Sequence, residues 1–188
     1  MAPLSERGVT APEAAPLIAA LGARGATIAT AESLTGGLVC ADLTSVPGAS
    51  AVVRGAVVSY AVAVKAEVLG VDAQLLQRQG AVDPAVAVQM AAGVRRLLGA
   101  DFGVSTTGSA GPDPDPGGEL TGPVPAGQGF VAVVGPGIEI VTGFTCPGED
   151  REGVRRHAVI AALDLLRRAL AETGDDGRSS AGAGSVEP

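Results

Sequence analysis

Apolar positions along the chain alternate between helical periodicity and short β-prone runs, and small or turn-forming residues mark the changes. Leu17, Ile18 and Leu21 recur at helical spacing behind Thr10-Ala11-Pro12-Glu13, which has the form of a capping box with Pro in the first turn, and Gly22 and Gly25 end the run. Residues 26–30 read as a strand, Ala31-Glu32-Ser33 as a turn, and 34–44 as a helix that must tolerate Gly36 and Gly37. A Val-rich strand over 52–60 precedes two short helices, 63–69 and 72–79, and Asp83-Pro84 caps a longer one that stops at Gly99. Residues 102–106 form a further strand, and 130–134 with 138–144 a hairpin turning at Gly135-Pro136-Gly137. Asp150 caps a last helix whose apolar stripe is Val154, Ala158, Ala161, Leu165 and Ala169. Strands interleaved with helices predict an α/β sheet covered on both faces.

Composition narrows this picture. The 188 residues suit one domain, expected over 10–172 between a flexible N-terminus (1–9) and a disordered tail (173–188). Apolar residues make up 46% and aromatic ones 2%, so the core must be built from Ala, Val, Leu and Ile. A formal net charge of −7 without a basic patch argues against nucleic acid or an anionic membrane as partner. The start has no charged leader with a long apolar run, which leads to the expectation of a soluble cytoplasmic protein. Cys40 and Cys146 have no metal-ligand spacing and are expected to be reduced and buried. With His157 as the only histidine, expected half-buried in the last helix, a metal centre lacks a convincing ligand set. Residues 111–129 are dense in Pro, Gly and Asp; a connection of this length is an active-site loop or a disordered excursion.

Lys65 is the only lysine, five residues after the only tyrosine, Tyr60, in a chain that otherwise uses Arg for positive charge. Arg keeps its proton at any ordinary pH, whereas a buried Lys can lose one, which makes Lys65 a candidate base. In one continuous helix the two residues would stand about 140° apart, so their convergence requires a strand-to-helix break between them. Ser33 sits where a strand turns into a helix and reads either as an N-cap or as a nucleophile, with the N–H groups of Thr35, Gly36 and Gly37 available to an oxyanion or phosphate. A serine nucleophile needs a base, and nothing local marks His157 as one; Lys65 serves in the manner of Ser-Lys sites, with Tyr60 to relay a proton or hold the lysine. Thr107-Gly108-Ser109-Ala110-Gly111-Pro112 follows a strand end, where ligands of α/β sheets bind, and reads as a substrate loop or as a tight turn. Arg151, Arg155 and Arg156 form either a phosphate clamp or a solvated helix face.

Ala31-Glu32-Ser33-Leu34-Thr35-Gly36-Gly37, Arg54-Gly55-Ala56-Val57-Val58-Ser59-Tyr60 with Lys65, Gly80-Ala81-Val82, Thr107-Gly108-Ser109-Ala110-Gly111-Pro112-Asp113 and Pro147-Gly148-Glu149-Asp150-Arg151 with Val154-Arg155-Arg156 together resemble the CinA C-terminal domain family, in order and spacing, over residues 17–170. The resemblance implies a single-domain three-layer α/β/α sandwich around a mixed sheet. It also implies hydrolysis of the carboxamide of nicotinamide mononucleotide to nicotinic acid mononucleotide and ammonia, without metal or organic cofactor. By similarity Ser33 is the nucleophile, Lys65 its base and Tyr60 their neighbour. Thr35, Gly36, Gly37, Thr107, Gly108, Ser109, Ala110, Gly111 and Arg151 would contact the substrate. The chain departs from the family pattern at Leu34 (commonly Cys), at Val62 (often Asn) and at Pro125-Ala126-Gly127-Gln128 (commonly Pro-Val-Gly-Thr), which bears on pocket shape. The pyrophosphatase-like domain of longer members is not in this sequence, so a stand-alone amidohydrolase is expected, with homo-oligomerisation left open. Two other readings are a catalytically silent nucleotide-binding relative and an interaction protein of the competence and DNA-damage context.

Overall fold

The computed structural model describes residues 13–174. The proposed Thr10 cap, the segment 1–9 and positions 175–188 of the expected tail lie outside the described residues. Elements follow in the order α1 (Ala14–Ala23), β1 (Ile28–Glu32), α2 (Leu38–Thr44), β2 (Val53–Val58), α3 (Val62–Glu67), α4 (Ala73–Gln79), α5 (Pro84–Leu98), β3 (Phe102–Ser109), β4 (Gln128–Gly135), β5 (Ile138–Thr145) and α6 (Arg151–Gly174). The sheet has the order β2-β1-β3-β4-β5; β1 runs parallel to β2 and β3, and β3-β4-β5 are antiparallel. It is the expected mixed sheet in a three-layer α/β/α domain.

Period-2 geometry divides β1 between the two layers of helix. Ile28 packs with Leu17, Leu21, Leu43, Leu163 and Leu166 from α1, α2 and α6, while Ala29 and Ala31 pack with Val86, Met90 and Val94 of α5. All five residues of β1 are buried, as expected of a strand covered on both faces. α5 lies very close to the sheet and to the turn after α3: a Cβ on Gly103 would sit 2.0 Å from the Ala91 carbonyl oxygen, and one on Gly93 2.1 Å from that of Leu69. Small residues therefore replace aromatic bulk, which accounts for a core with few rings.

The structure moves several predicted boundaries. The helix expected from residue 34 starts at Leu38, because Gly36 (φ 62°) and Gly37 (φ 101°) are left-handed and form a turn. β1 runs on to Glu32, directly before Ser33. β3 extends three residues past the predicted end to Ser109, since Thr107, Gly108 and Ser109 pair with Phe130, Gly129 and Gln128. The predicted caps hold elsewhere: Asp83 accepts from the first N–H groups of α5, Gly99 (φ 59°) closes it, and Asp150 Oδ1 accepts from Gly153 N at 2.8 Å; Asp72, expected inside the helix over 72–79, instead caps α4. The helical tail continues through Thr173 and Gly174, where disorder was expected to begin.

Candidate active site

Ser33, Tyr60 with Lys65, and Thr107-Gly108 all lie beyond the C-terminal ends of the parallel strands β1 and β2 or at the end of β3, and they line one cavity of about 160 Å³. Leu34, Val62, Ala81, Val82, Ala110, Asp115 and Arg151 complete its wall. The break needed to bring Tyr60 and Lys65 together is present: β2 ends at Val58 and α3 begins at Val62.

Lys65 is 1% exposed. Its Nζ donates to Ser33 Oγ at 3.0 Å, to the Ser59 carbonyl at 2.6 Å and to the Tyr60 carbonyl at 3.4 Å. Burial lowers its pKa from 10.5 to about 8, against the opposing pull of Asp115. A neutral amine keeps two N–H donors and gains a lone pair. With the donors directed to the two carbonyls, the lone pair falls to Ser33, whose O–H then donates to Nζ. That is the arrangement a general base requires.

Ser33 is not a helix cap. The N-cap of α2 is Gly37, without a side-chain bond, and the donors near that end are collected by Glu32. This fully buried side chain accepts through Oε2 from Thr35 Oγ1, Gly37 N and Val39 N, and through Oε1 from Thr30 Oγ1 and Cys40 N, at 2.7 to 3.1 Å. Thr35 Oγ1 gives its hydrogen to Glu32, so Thr106 Oγ1, 2.7 Å away, donates to Thr35. Arg155 holds the same turn from outside, donating to the carbonyls of Leu34 and Thr35 at 3.0 and 2.9 Å. The Ser33 hydroxyl remains free to face the cavity and Lys65.

Thr35, Gly36 and Gly37, expected to contact substrate, are not among the residues that line the cavity. Gly36 N donates to the Ser33 carbonyl and Gly37 N to Glu32. The N–H groups of Leu34 and Thr35 donate to no partner among the described residues. Thr107, Gly108 and Ala110 line the inner cavity, whereas Ser109 and Gly111 face an outer cleft that shares Tyr60, Gly108, Ala110, Asp115 and Arg151 with it. Tyr60 is 63% exposed, and its hydroxyl accepts from Arg151 Nη2 at 3.0 Å, not from Lys65 or Ser33; the residue holds Lys65 through its carbonyl. Arg151 also donates to the Gly111 carbonyl at 2.7 Å, bridging the mouth. The three arginines do not form one clamp: Arg155 braces the Ser33 turn, and Arg156 lies 3.6 Å from buried Asp42.

His157 is exposed, not half-buried, and its ring lies 5.7 Å from that of Phe144. Both cysteines are free; Cys146 is buried, while Cys40 is only partly so. Burial raises both thiol pKa values, with Glu32 adding to the effect at Cys40 and Glu149 at Cys146, which is unfavourable for a nucleophile. Among the described residues no group of three His, Cys, Asp or Glu side chains is placed to hold a metal, and no helix is long and apolar enough to cross a membrane. Asp115 and Glu32 were not singled out from the sequence. Asp115 is one of two similar aspartates in the 111–129 segment, and a Glu ending a strand carries no signal of the turn that will wrap around it.

The model of the CinA C-terminal domain matches residues 11–170. A CinA-like protein of Frankia casuarinae is 47% identical over 86% of this chain, and one of Anaeromyxobacter sp. strain K is 50% identical over 82%. In each case the chain spans 36% of the relative's length. Among solved structures, a competence-damaged protein (CinA) superfamily protein from Klebsiella pneumoniae aligns with a TM-score of 0.77 at 34% identity, covering 85% of this chain and 96% of that one. The competence/damage inducible protein CihA from Agrobacterium tumefaciens aligns with a TM-score of 0.77 at 31% identity, covering 87% and 99%. With the family model over residues 11–170 and the fold in agreement, the chain belongs to the CinA C-terminal domain family.

Proposed function

We infer that the protein is an amidohydrolase that converts the carboxamide of nicotinamide mononucleotide to the carboxylate, releasing ammonia, with Ser33 as nucleophile and Lys65 as base. The observation that carries the chemistry is the buried Lys65 amine 3.0 Å from a Ser33 hydroxyl that no helix end uses. The choice of substrate rests on the resemblance of the motifs around Ser33, Tyr60 and Lys65 to the family's amidohydrolases. A silent binder has no use for a lysine desolvated against a serine, at the expense of stability.

In the first half-reaction the Ser33 proton passes to Lys65 Nζ as Oγ bonds to the amide carbon. The carbonyl electrons move to oxygen, where the N–H group of Leu34, a residue on the cavity wall, is the available donor; the residue after a nucleophile on a strand-to-helix turn is a recurrent oxyanion donor. Collapse breaks the C–N bond, and the Lys65 proton goes to the departing nitrogen as ammonia. Water then attacks the Ser33 ester, giving one proton to Lys65. Collapse of the second intermediate returns that proton to Ser33 Oγ and frees the acid. Arg151, at the cavity mouth, suits the substrate phosphate.

Ammonia release from nicotinamide mononucleotide, with nicotinamide and NAD measured beside it, tests this reading. Ser33→Ala should abolish release while calorimetric binding of the nucleotide stays within a fewfold, since a nucleophile contributes mainly to the chemical step. Substantial turnover by the Ala variant would mean that water attacks directly.

A further inference from the structure

Among the described residues Asp115 is the one acidic side chain on the wall of the inner cavity, which it shares with Lys65 and Arg151. It arrives on the 110–127 connection, and that connection is firmly built. Asp115 and Val124 exchange backbone bonds of 2.9 and 2.8 Å. Glu119 N and Leu120 N then donate to the Gln77 and Arg78 carbonyls at the end of α4, at 3.1 and 2.8 Å. Backbones meet there without room for side chains: a Cβ on Gly80 would lie 2.5 Å from the Gly117 carbonyl carbon, and one on Gly118 2.3 Å from Gly80 N. Asp115 Oδ1 accepts from Gly117 N at 2.9 Å, and Oδ2 has no partner among the described residues. Among the described residues no ion pair joins Asp115 to Lys65, and both side chains border the cavity.

We propose that Asp115 is a specificity-determining residue that accepts a hydrogen bond from the carboxamide nitrogen of the substrate and repels the carboxylate of the product. The role presupposes the amidohydrolase reading of this site. A primary amide carries two N–H donors and one carbonyl acceptor, whereas the carboxylate that replaces it has acceptors only. An acceptor fixed where the nitrogen sits is satisfied by the amide and left unpaired by the acid, the kind of mismatch that discriminates most strongly between near-isosteric ligands. Like charge adds to the mismatch. The same contact would therefore help admit substrate and expel product.

The test is calorimetric titration of nicotinamide mononucleotide and nicotinic acid mononucleotide at pH 7, in a Ser33→Ala background that cannot turn over, with Asp115 and with Asp115→Asn. Asn keeps an oxygen for the Gly117 N–H, so the loop stays pinned. The affinity of the acid relative to the amide should rise about tenfold or more in the Asn variant, the order expected when one like charge is removed at short range near a protein surface. Asp115→Ser, neutral and still able to accept from Gly117, carries the same expectation should the Asn variant fail to fold. An unchanged affinity ratio with both nucleotides bound overturns the role of Asp115. Failure of either nucleotide to bind, together with no ammonia release by the native protein, contradicts the amidohydrolase reading itself and removes the proposed role with it.

Discussion

The burial that lowers the pKa of Lys65 also makes folding stability depend on pH. Unfolded, the residue titrates near 10.5; folded, at about 8. Below the lower value both states are charged, and the folded state bears the whole desolvation penalty. Between the two values the unfolded chain binds the extra proton, so unfolding free energy rises with pH; above the upper value both states are neutral and the penalty is gone. The total rise is about 3 kcal/mol at one pKa unit per 1.4 kcal/mol. Denaturant titrations of the native protein and of Lys65→Met, which has no group to titrate there, should therefore diverge in favour of the native protein from pH 8 to 10.5. A constant difference across that window would mean that the amine is hydrated in solution. Lys65 could be found in the sequence because it stands alone among arginines. Asp115 could not, because only the fold of its loop separates it from Asp113.

At the scale of elements, the Ser33 turn depends on Glu32. Five donors converge on its two carboxyl oxygens, three of them backbone N–H groups at the start of α2. Glu32→Gln preserves the shape but places an NH2 against at least one of those N–H groups, whichever way the amide is turned. Leaving a buried donor unsatisfied beside a lost charged acceptor should reduce unfolding free energy by about 3 kcal/mol, readable in a urea titration, and activity should fall because Ser33 adjoins the clamp. Native stability in the Gln variant would remove Glu32 as the organiser of the turn. Periodicity at 34–44 suggested helix throughout, and it failed at 34–37 because two left-handed glycines and a carboxyl clamp override an apolar pattern. The 111–129 segment was legible as a long connection, but not as a docked one. It docks on α4 through backbone bonds from Glu119 and Leu120 to the Gln77 and Arg78 carbonyls, joined by side-chain bonds between Gln77 and Glu119 and from Thr121 to the Gln79 carbonyl, and the backbone part leaves no side-chain signature.

At the scale of the whole molecule, the fold brings distant parts of the chain to one edge of the sheet. Ser33 follows β1, Lys65 follows β2, Thr107 and Gly108 end β3, and Arg151 opens α6. The crevice beyond the carboxyl ends of parallel strands is where open α/β sheets bind ligands. Layer order and most helix limits were readable from periodicity and caps because those signals are local. The meeting of Ser33 with Lys65 is a tertiary fact that residue identity suggested and only the strand order could place. The two glycine contacts that bring α5 onto the sheet and its flanking turn, at Gly93 and Gly103, are likewise invisible to pattern, since a helical or strand glycine ordinarily reads as a weakness.

The central claim is that the Lys65 amine takes the Ser33 proton, and kcat/KM against pH for ammonia release, native protein beside Lys65→Arg, tests it most directly. Arg keeps the positive charge but cannot serve as a base near neutral pH. The native profile should have a rising limb from a group that must lose its proton near pH 8, and a correctly folded Lys65→Arg protein should lose on the order of a hundredfold or more at every pH. Near-native activity in that variant, with or without the rising limb, would contradict the account even if Ser33 proved indispensable.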